Sequence, residues 1–203
     1  MEIKVMMKLY MSGNSPYARR ARLAIRGCGL LDQVEEIAIK GFDSLPPQSP
    51  GNKIPILITE SGVVVTECIL IGRYLNDLAG DKLTPVDSDA RLECLAIESV
   101  ASVLMDSLFA RSMEKNQRNE ETRSAAVLAK EAARSARCYD KLEEMLQDAS
   151  HEINFGSIAV IACLGYADWR NAEDEWRSDR PILTAFYDHM MTIPAFAETA
   201  PKF

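Results

Sequence analysis

PGNKIPILITESGVVVTECILIGRYL, residues 50–75, is the stretch on which the reading of this chain turns. Ile54-Pro55 precedes the apolar run Ile56-Leu57-Ile58. Proline lacks an N–H, so it fits the first residue or the edge of a strand and not its middle. Glu60-Ser61-Gly62 is turn chemistry and Val63-Val64-Val65 is a second β-branched run, so the two runs read as an antiparallel hairpin. Thr66-Glu67 then opens a helix whose apolar residues recur at Ile69, Leu70, Tyr74, Leu75 and Leu78. A strand-starting proline, a hairpin and a helix N-terminus thus fall within a few residues of one another, which brings backbone donors and a carboxylate close together.

Working outward toward the N-terminus, Met7–Met11 reads as a first strand and Ser12-Gly13-Asn14 as a turn. Ser15-Pro16 is a strong helix start, serine as N-cap and proline at the first helical position, and the helix runs from Tyr17 to Arg26 until Gly27 and Gly29 end it. Its four arginines, Arg19, Arg20, Arg22 and Arg26, read as a charged outer face, with pairing to an acidic segment or to another subunit as the alternative. Val34–Ile39 is a second strand, which makes a βαβ unit. Residues 41–53, with Pro46, Pro47 and Pro50, are a loop. The order β-α-β, then β-β-α, is that of a thioredoxin-like domain.

Toward the C-terminus the pattern changes. Residues 80–87 form a linker between a first domain over 1–79 and a second over 88–203 in which every periodic segment is helical. One helix spans about Asp89 to Glu114. Another spans 119–148 with a stripe at Leu128, Ala132, Ser135, Tyr139, Leu142 and Leu146. A third, capped by Gly156-Ser157 and running from Ile158 to about Asn171, is apolar nearly all round at its start and is expected to be the buried centre of this half. Arg180-Pro181 begins the last long helix, which breaks at Pro194 into a tail turn. The fold class expected is an α/β N-terminal thioredoxin-like domain followed by an all-α domain.

Composition narrows the function. Of 203 residues 47% are hydrophobic and 26% charged, ordinary for a globular chain. No apolar run reaches the ~18 residues of a membrane span, and the first residues carry no signal-peptide pattern, so a cytoplasmic location is expected and no membrane partner. The net charge of −7 is unevenly spread: residues 1–80 hold 9 Lys and Arg against 8 Asp and Glu, and residues 81–203 hold 14 against 22. Neither half offers the basic field that a nucleic acid requires. The near-neutral first half is the better host for a small anionic ligand. Five widely spaced cysteines, with no C-x-x-C, argue against a zinc knuckle or a dithiol redox pair and for reduced thiols. With only His151 and His189, both expected at the surface, neither a histidine metal site nor a Ser-His-Asp triad is expected.

The stretch 50–75 resembles the core of the cytosolic glutathione S-transferases, N-P-x-G-K-[IV]-P-x-L followed by [ED]-S-x-x-I-x-x-Y-L, with Cys68 standing at the family's serine. Ser15-Pro16-Tyr17-x-Arg19 resembles the S-P-[FY] start of the serine-type members. The resemblance covers nearly the whole chain. Gly156–Arg170, the later RPIL and the ending IPAFAETAP are similar to the bacterial YibF-like branch, although Val160 replaces the family's aspartate at the start of the buried helix and leaves that capping box incomplete.

This resemblance implies glutathione as co-substrate, no metal, a small hydrophobic electrophile and a homodimer. It implies a cis Ile54-Pro55 bond. It implies that the Ile54 backbone, beside Pro55, pairs with the cysteinyl part of the tripeptide, that Glu67 and Cys68 hold its γ-glutamyl end, and that Lys53 meets a carboxylate. Ser15 is then the catalytic residue. A free thiol ionises near pH 8.5, so the protein must stabilise S⁻, and a hydroxyl at a helix N-terminus does so by donation and by the helix dipole. Each residue also has a plainer reading. Ser15 caps a helix, Glu67 complements a dipole, and Lys53 is a solvated lysine. The electrophile pocket is expected between the halves, with Met105, Phe109, Ser112, Trp169 and Arg170 as candidates. Two rival functions stand beside the transferase. One is a module that kept the fold and lost the chemistry. The other is a thiol reductase using Cys68, whose place at a helix N-terminus would favour a thiolate.

Overall fold

The structure, a computed structural model, describes residues 6–46, 49 and 51–201. Met1–Val5, and Pro47, Gln48 and Pro50 of the expected loop, lie outside the described residues. The first half holds β1 (Met7–Met11), α1 (Pro16–Cys28), β2 (Val34–Ala38), a 3-10 turn (Phe42–Ser44), β3 (Ile56–Ile58), β4 (Val64–Thr66) and α2 (Cys68–Leu78). The strands form one mixed sheet in the order β2-β1-β3-β4. β1 runs parallel to β2 and antiparallel to β3, and β3 and β4 form the expected hairpin. Met7, Leu9 and Met11 alternate into the core, the period-2 pattern of a strand with one buried face. The hairpin turn closes through Thr59, whose Oγ1 accepts from the Val63 N–H at 3.0 Å, with Gly62 at φ 83°.

The second half is helical: α3 (Ser88–Gln117), α4 (Ala125–Met145), α5 (Phe155–Arg170), a 3-10 turn (Ala172–Asp174), α6 (Pro181–Met190) and α7 (Pro194–Glu198). α5 is its centre, buried from Phe155 to Ala167 and packed on α3 and α1. The glutathione transferase fold expected from the sequence, a small mixed sheet domain followed by a helical one, is the fold observed.

Local differences have local causes. α1 runs through Gly27 to Cys28 and is capped by Gly29 at φ 71°, the left-handed conformation that glycine adopts without a Cβ penalty. Gly27 stays helical because Leu83 packs where a Cβ would stand. α4 starts only at Ala125, with Ser124 as its cap, because Asn119 ties residues 119–123 into a turn. α5 starts at Phe155, earlier than its apolar run suggests. The capping box that Val160 left incomplete in the sequence is made one turn earlier. Asn154 Oδ1 accepts from the Ser157 N–H at 2.9 Å, and Ser157 Oγ accepts from the Asn154 N–H at 3.0 Å.

The arginines of α1 are not a solvated face. Arg19 is 1% exposed and Arg20 5%. Arg19 donates to the carbonyls of Ile161 (3.1 Å) and Phe196 (3.0 Å) and to Thr199 Oγ1 (3.3 Å). A Cβ at Gly165 would stand on its guanidinium. Arg22 and Arg26 both bind Glu36 of β2, and Arg20 binds Glu98 of α3. The alternative reading, pairing with the acidic helical half, therefore holds for Arg20. Buried polar groups need partners, and for Arg19 and Arg20 the tertiary fold supplies them.

Candidate functional site

Strand register brings the candidate residues together. Tyr10 of β1 lies opposite Ile56 of β3, and Ile56 lies opposite Thr66 of β4. The chain leaving β1 toward Ser15, the Ile54-Pro55 pair entering β3, and Glu67-Cys68 following β4 therefore all emerge at one end of the sheet. Ile54-Pro55 is cis.

Ser15 is half-buried and caps α1. Its Oγ accepts from the Ala18 N–H at 3.2 Å, which leaves its own hydrogen free to donate. Its plainer role, the cap, is therefore real, and the cap also aims the hydroxyl along the axis where the helix dipole favours an anion. At the start of α2, Glu67 sits at φ 65°, ψ 121° with its carboxylate exposed and making no capping bond. A non-glycine residue in that region costs about 1–3 kcal/mol, and such strain concentrates at ligand-binding positions. Lys53 is exposed, Ile54 half-buried and Pro55 buried.

Cys68 is 6% exposed at the first helical position. Burial raises its thiol above the usual cysteine range, and the nearby Arg20 charge offsets this only in part. The position at a helix N-terminus therefore does not make Cys68 a ready thiolate, contrary to what the reductase reading requires. All five cysteines are free and buried. Among the described residues no group of three or more His, Cys, Asp or Glu is arranged to hold a metal ion. Among them, too, no helix is long and apolar enough to cross a membrane.

Near Ser15, aromatic residues of the two halves pack into one wall. The Tyr17 hydroxyl donates to Asp106 Oδ1 of α3 at 2.7 Å, and burial together with Asp106 pushes the phenol well above the usual tyrosine range, so it stays protonated. Its ring packs edge-on against Phe109 (5.3 Å between centroids). Phe109 is followed by Tyr166 (6.5 Å), and Tyr166 by Trp169 (5.9 Å), over which Arg170 lies at 3.7 Å. Of the candidate pocket residues, Phe109, Trp169 and Arg170 reach this wall, while Met105 and Ser112 are buried in the core. Tyr17 and Asp106 were not singled out by sequence reasoning. Tyr17 stood inside the Ser-Pro-Tyr motif, but nothing local to Asp106 marks it as its partner.

Residues 14–78 match the family model described as glutathione S-transferase, N-terminal domain. The uncharacterized GST-like protein YibF of Escherichia coli K12 is 26% identical over 200 residues, covering 96% of this chain and 98% of its own. A glutathione transferase family member from Pseudomonas fluorescens Pf-5, solved with bound glutathione, superposes with a TM-score of 0.88 at 27% identity and covers 97% of this chain and 100% of its own. A glutathione S-transferase from Methylobacterium radiotolerans, solved in complex with glutathione sulfonate, gives 0.87 at 28% identity over 98% of this chain and 96% of its own.

Proposed function

We propose that this chain, which resembles the glutathione S-transferases over residues 14–78 and in its whole fold, is a member of that family, binds glutathione at the sheet end described above and activates its thiol for attack on a small hydrophobic electrophile. The observation that carries the reading is the strand register that gathers Ser15, Ile54-Pro55 and Glu67-Cys68. The Ile54 backbone pairs with the cysteinyl residue of the tripeptide. Glu67 receives the γ-glutamyl ammonium, the Cys68 N–H at the start of α2 meets the γ-glutamyl carboxylate, and Lys53 reaches the other carboxylate. The thiol sits at the N-terminus of α1, where Ser15 donates to the developing S⁻ and the thiol proton passes to solvent. The thiolate attacks the electrophilic carbon. The new S–C bond forms as the leaving group departs with its electron pair, or as a double bond takes up the charge. Positioning and thiolate stabilisation do the catalytic work.

The electrophile enters against Tyr17, Phe109 and Trp169. A cytoplasmic homodimer completes the reading. Ile69 and Leu70 of α2 and Leu92, Leu95 and Val103 of α3 expose large apolar side chains that a second copy would cover. The test is calorimetric titration of the full chain with glutathione, followed by conjugation to an activated aryl chloride. Binding with turnover supports the transferase. Binding without turnover on aryl and alkyl halides supports the non-catalytic module, and no binding at millimolar glutathione defeats the reading. Size-exclusion chromatography with light scattering tests the dimer.

A further inference from the structure

The reading above gives ligand contacts to the first residues of α1 and of α2, and their spacing is set from the other half of the chain. Glu98, on α3, is 4% exposed and places one carboxylate oxygen on each of these helices. Oε1 accepts from Arg20 Nη2 of α1 at 2.7 Å, and Oε2 accepts from Arg73 Nη2 of α2. Arg20 Nη1 also donates to Ser102 Oγ at 2.9 Å, and Ser102 donates in turn to the Glu98 carbonyl at 2.7 Å. The two guanidinium groups come from different helices and share the two oxygens of one group, so neither can be replaced without changing the other's geometry.

We propose that Glu98 is a positioning residue for glutathione: by clamping Arg20 and Arg73 it fixes the distance between Ser15 and the Glu67-Cys68 pair. This rests on the glutathione reading. Ser15 lies five residues before Arg20 and Glu67 six before Arg73, about 7.5 and 9 Å along their helices at 1.5 Å per residue. Helices of two turns are stiff, so a shift at the clamp becomes a shift at the ligand. Beside the clamp lies a crevice of about 10 Å³ whose lining includes Arg20, Cys68, Ile69, Gly72, Glu98 and Phe155. Gly72 lets α2 approach so closely that a Cβ there would stand 3.2 Å from the Phe155 ring. Arg73 lies 3.8 Å over that same ring.

The two arms differ in burial. The Arg20 and Glu98 side chains are each 5% exposed, whereas that of Arg73 is 37% exposed. Removing one member of the buried pair is strongly destabilising. A partly exposed arm contributes little to stability. Arg73 is therefore where positioning can be tested apart from folding.

The experiment measures glutathione affinity by calorimetry and steady-state kinetics on the full chain, for wild type, Arg73→Met, Arg73→Lys and Glu98→Gln. In Arg73→Met the Kd and the KM for glutathione are expected to rise about tenfold, with kcat at saturating glutathione and the melting temperature close to wild type. Arg73→Lys, which keeps a cation within reach of Glu98, restores most of the affinity. Glu98→Gln, which leaves Arg73 on Phe155, weakens affinity at least as much as Arg73→Met; should it fail to fold, Arg73→Met decides. Wild-type protein that binds while all folded variants match its Kd within twofold overturns the role of Glu98 and leaves the function standing. A variant that loses kcat and melting temperature together at unchanged KM also overturns it, because the bridge is then only scaffold. Wild-type protein that does not bind glutathione defeats the function reading itself.

Discussion

Replacing Ser15 with alanine removes two things that the structure separates. One is the cap: Ser15 Oγ accepts the Ala18 N–H, and losing such a cap costs about 0.5–2 kcal/mol of stability. The other is the hydroxyl hydrogen, which in the proposed mechanism donates to the bound thiolate. A hydrogen bond to a charged group is worth about 1.5–3 kcal/mol. At 1.36 kcal/mol per tenfold, its loss lowers kcat/KM for conjugation by about 10- to 150-fold at neutral pH. The same energy, read as ionisation, moves the bound thiol upward by about one to two pKa units.

These two effects have different signatures. The cap loss lowers the melting temperature and is nearly independent of pH across the neutral range. The thiolate loss is largest where the wild type is ionised and the variant is not, and it narrows as pH rises above the variant's thiol pKa. The assay is a pH–rate profile of aryl chloride conjugation between about pH 6 and 9.5, paired with thermal unfolding, since a free thiol ionises near 8.5. A variant whose conjugation rate stays within twofold of wild type at neutral pH would refute the catalytic role and leave Ser15 a cap. A deficit that does not narrow at high pH would show that the hydroxyl acts on something other than ionisation.

Glu67→Gly relieves the φ 65° backbone and is expected to raise stability by about 1 kcal/mol while weakening glutathione binding; thermal melts and calorimetry check both, and unchanged affinity would show that the carboxylate is idle. Cys68→Ser supplies the hydroxyl that the family pattern carries and is expected to tighten glutathione a few-fold, whereas thiol labelling of native wild type at neutral pH should be slow at Cys68 because burial keeps it protonated. Glu36 is pushed up by burial but held below the usual carboxylate range by Arg26 and Arg22. Its contribution is thus complete above the unfolded value near 4.3 and lost as pH falls through the lower folded one, so Glu36→Gln should flatten the acid limb of the stability curve below about pH 4. A variant with the same acid limb as wild type would place that sensitivity elsewhere.

What the sequence made legible is what short-range chemistry specifies. The hairpin between Ile56 and Thr66, the Ser15-Pro16 helix start and the buried run of α5 each rest on a few adjacent residues, and each is present. Helix bounds slipped where a side chain's bond outweighed the apolar pattern. Asn154 starts α5 one turn early, and Asn119 holds back α4. The arginines of α1 were misread for a stronger reason. Their periodicity is that of a solvated face, and for the two most buried of them partners far along the chain, 78 residues for Arg20 to Glu98 and 142 for Arg19 to Ile161, turn that face inward. The site divides the same way: Ser15, Ile54, Pro55, Glu67 and Cys68 are visible in local motifs, while Asp106 is joined to Tyr17 across 89 residues and carries no local mark.

One helix therefore carries two tasks that the sequence shows as one. The first turn of α1 carries the hydroxyl and dipole proposed to meet the ligand, and the next turn is given to docking. Among the described residues no carboxylate pairs with buried Arg19, whose partners include the carbonyls of Ile161 and Phe196 and the Thr199 hydroxyl. Arg20 is buried on Glu98. A cation held by carbonyl dipoles pays a desolvation cost, and burial accordingly draws Arg19 below the usual arginine range. That cost is met only when α5 and α7 with its C-cap Thr199 are in place. The hydroxyl proposed to meet the sulfur is thus held in register by contacts to the helical half, four and five residues downstream, and the thioredoxin-like half should not keep the spacing of its proposed ligand contacts when the helical half is removed.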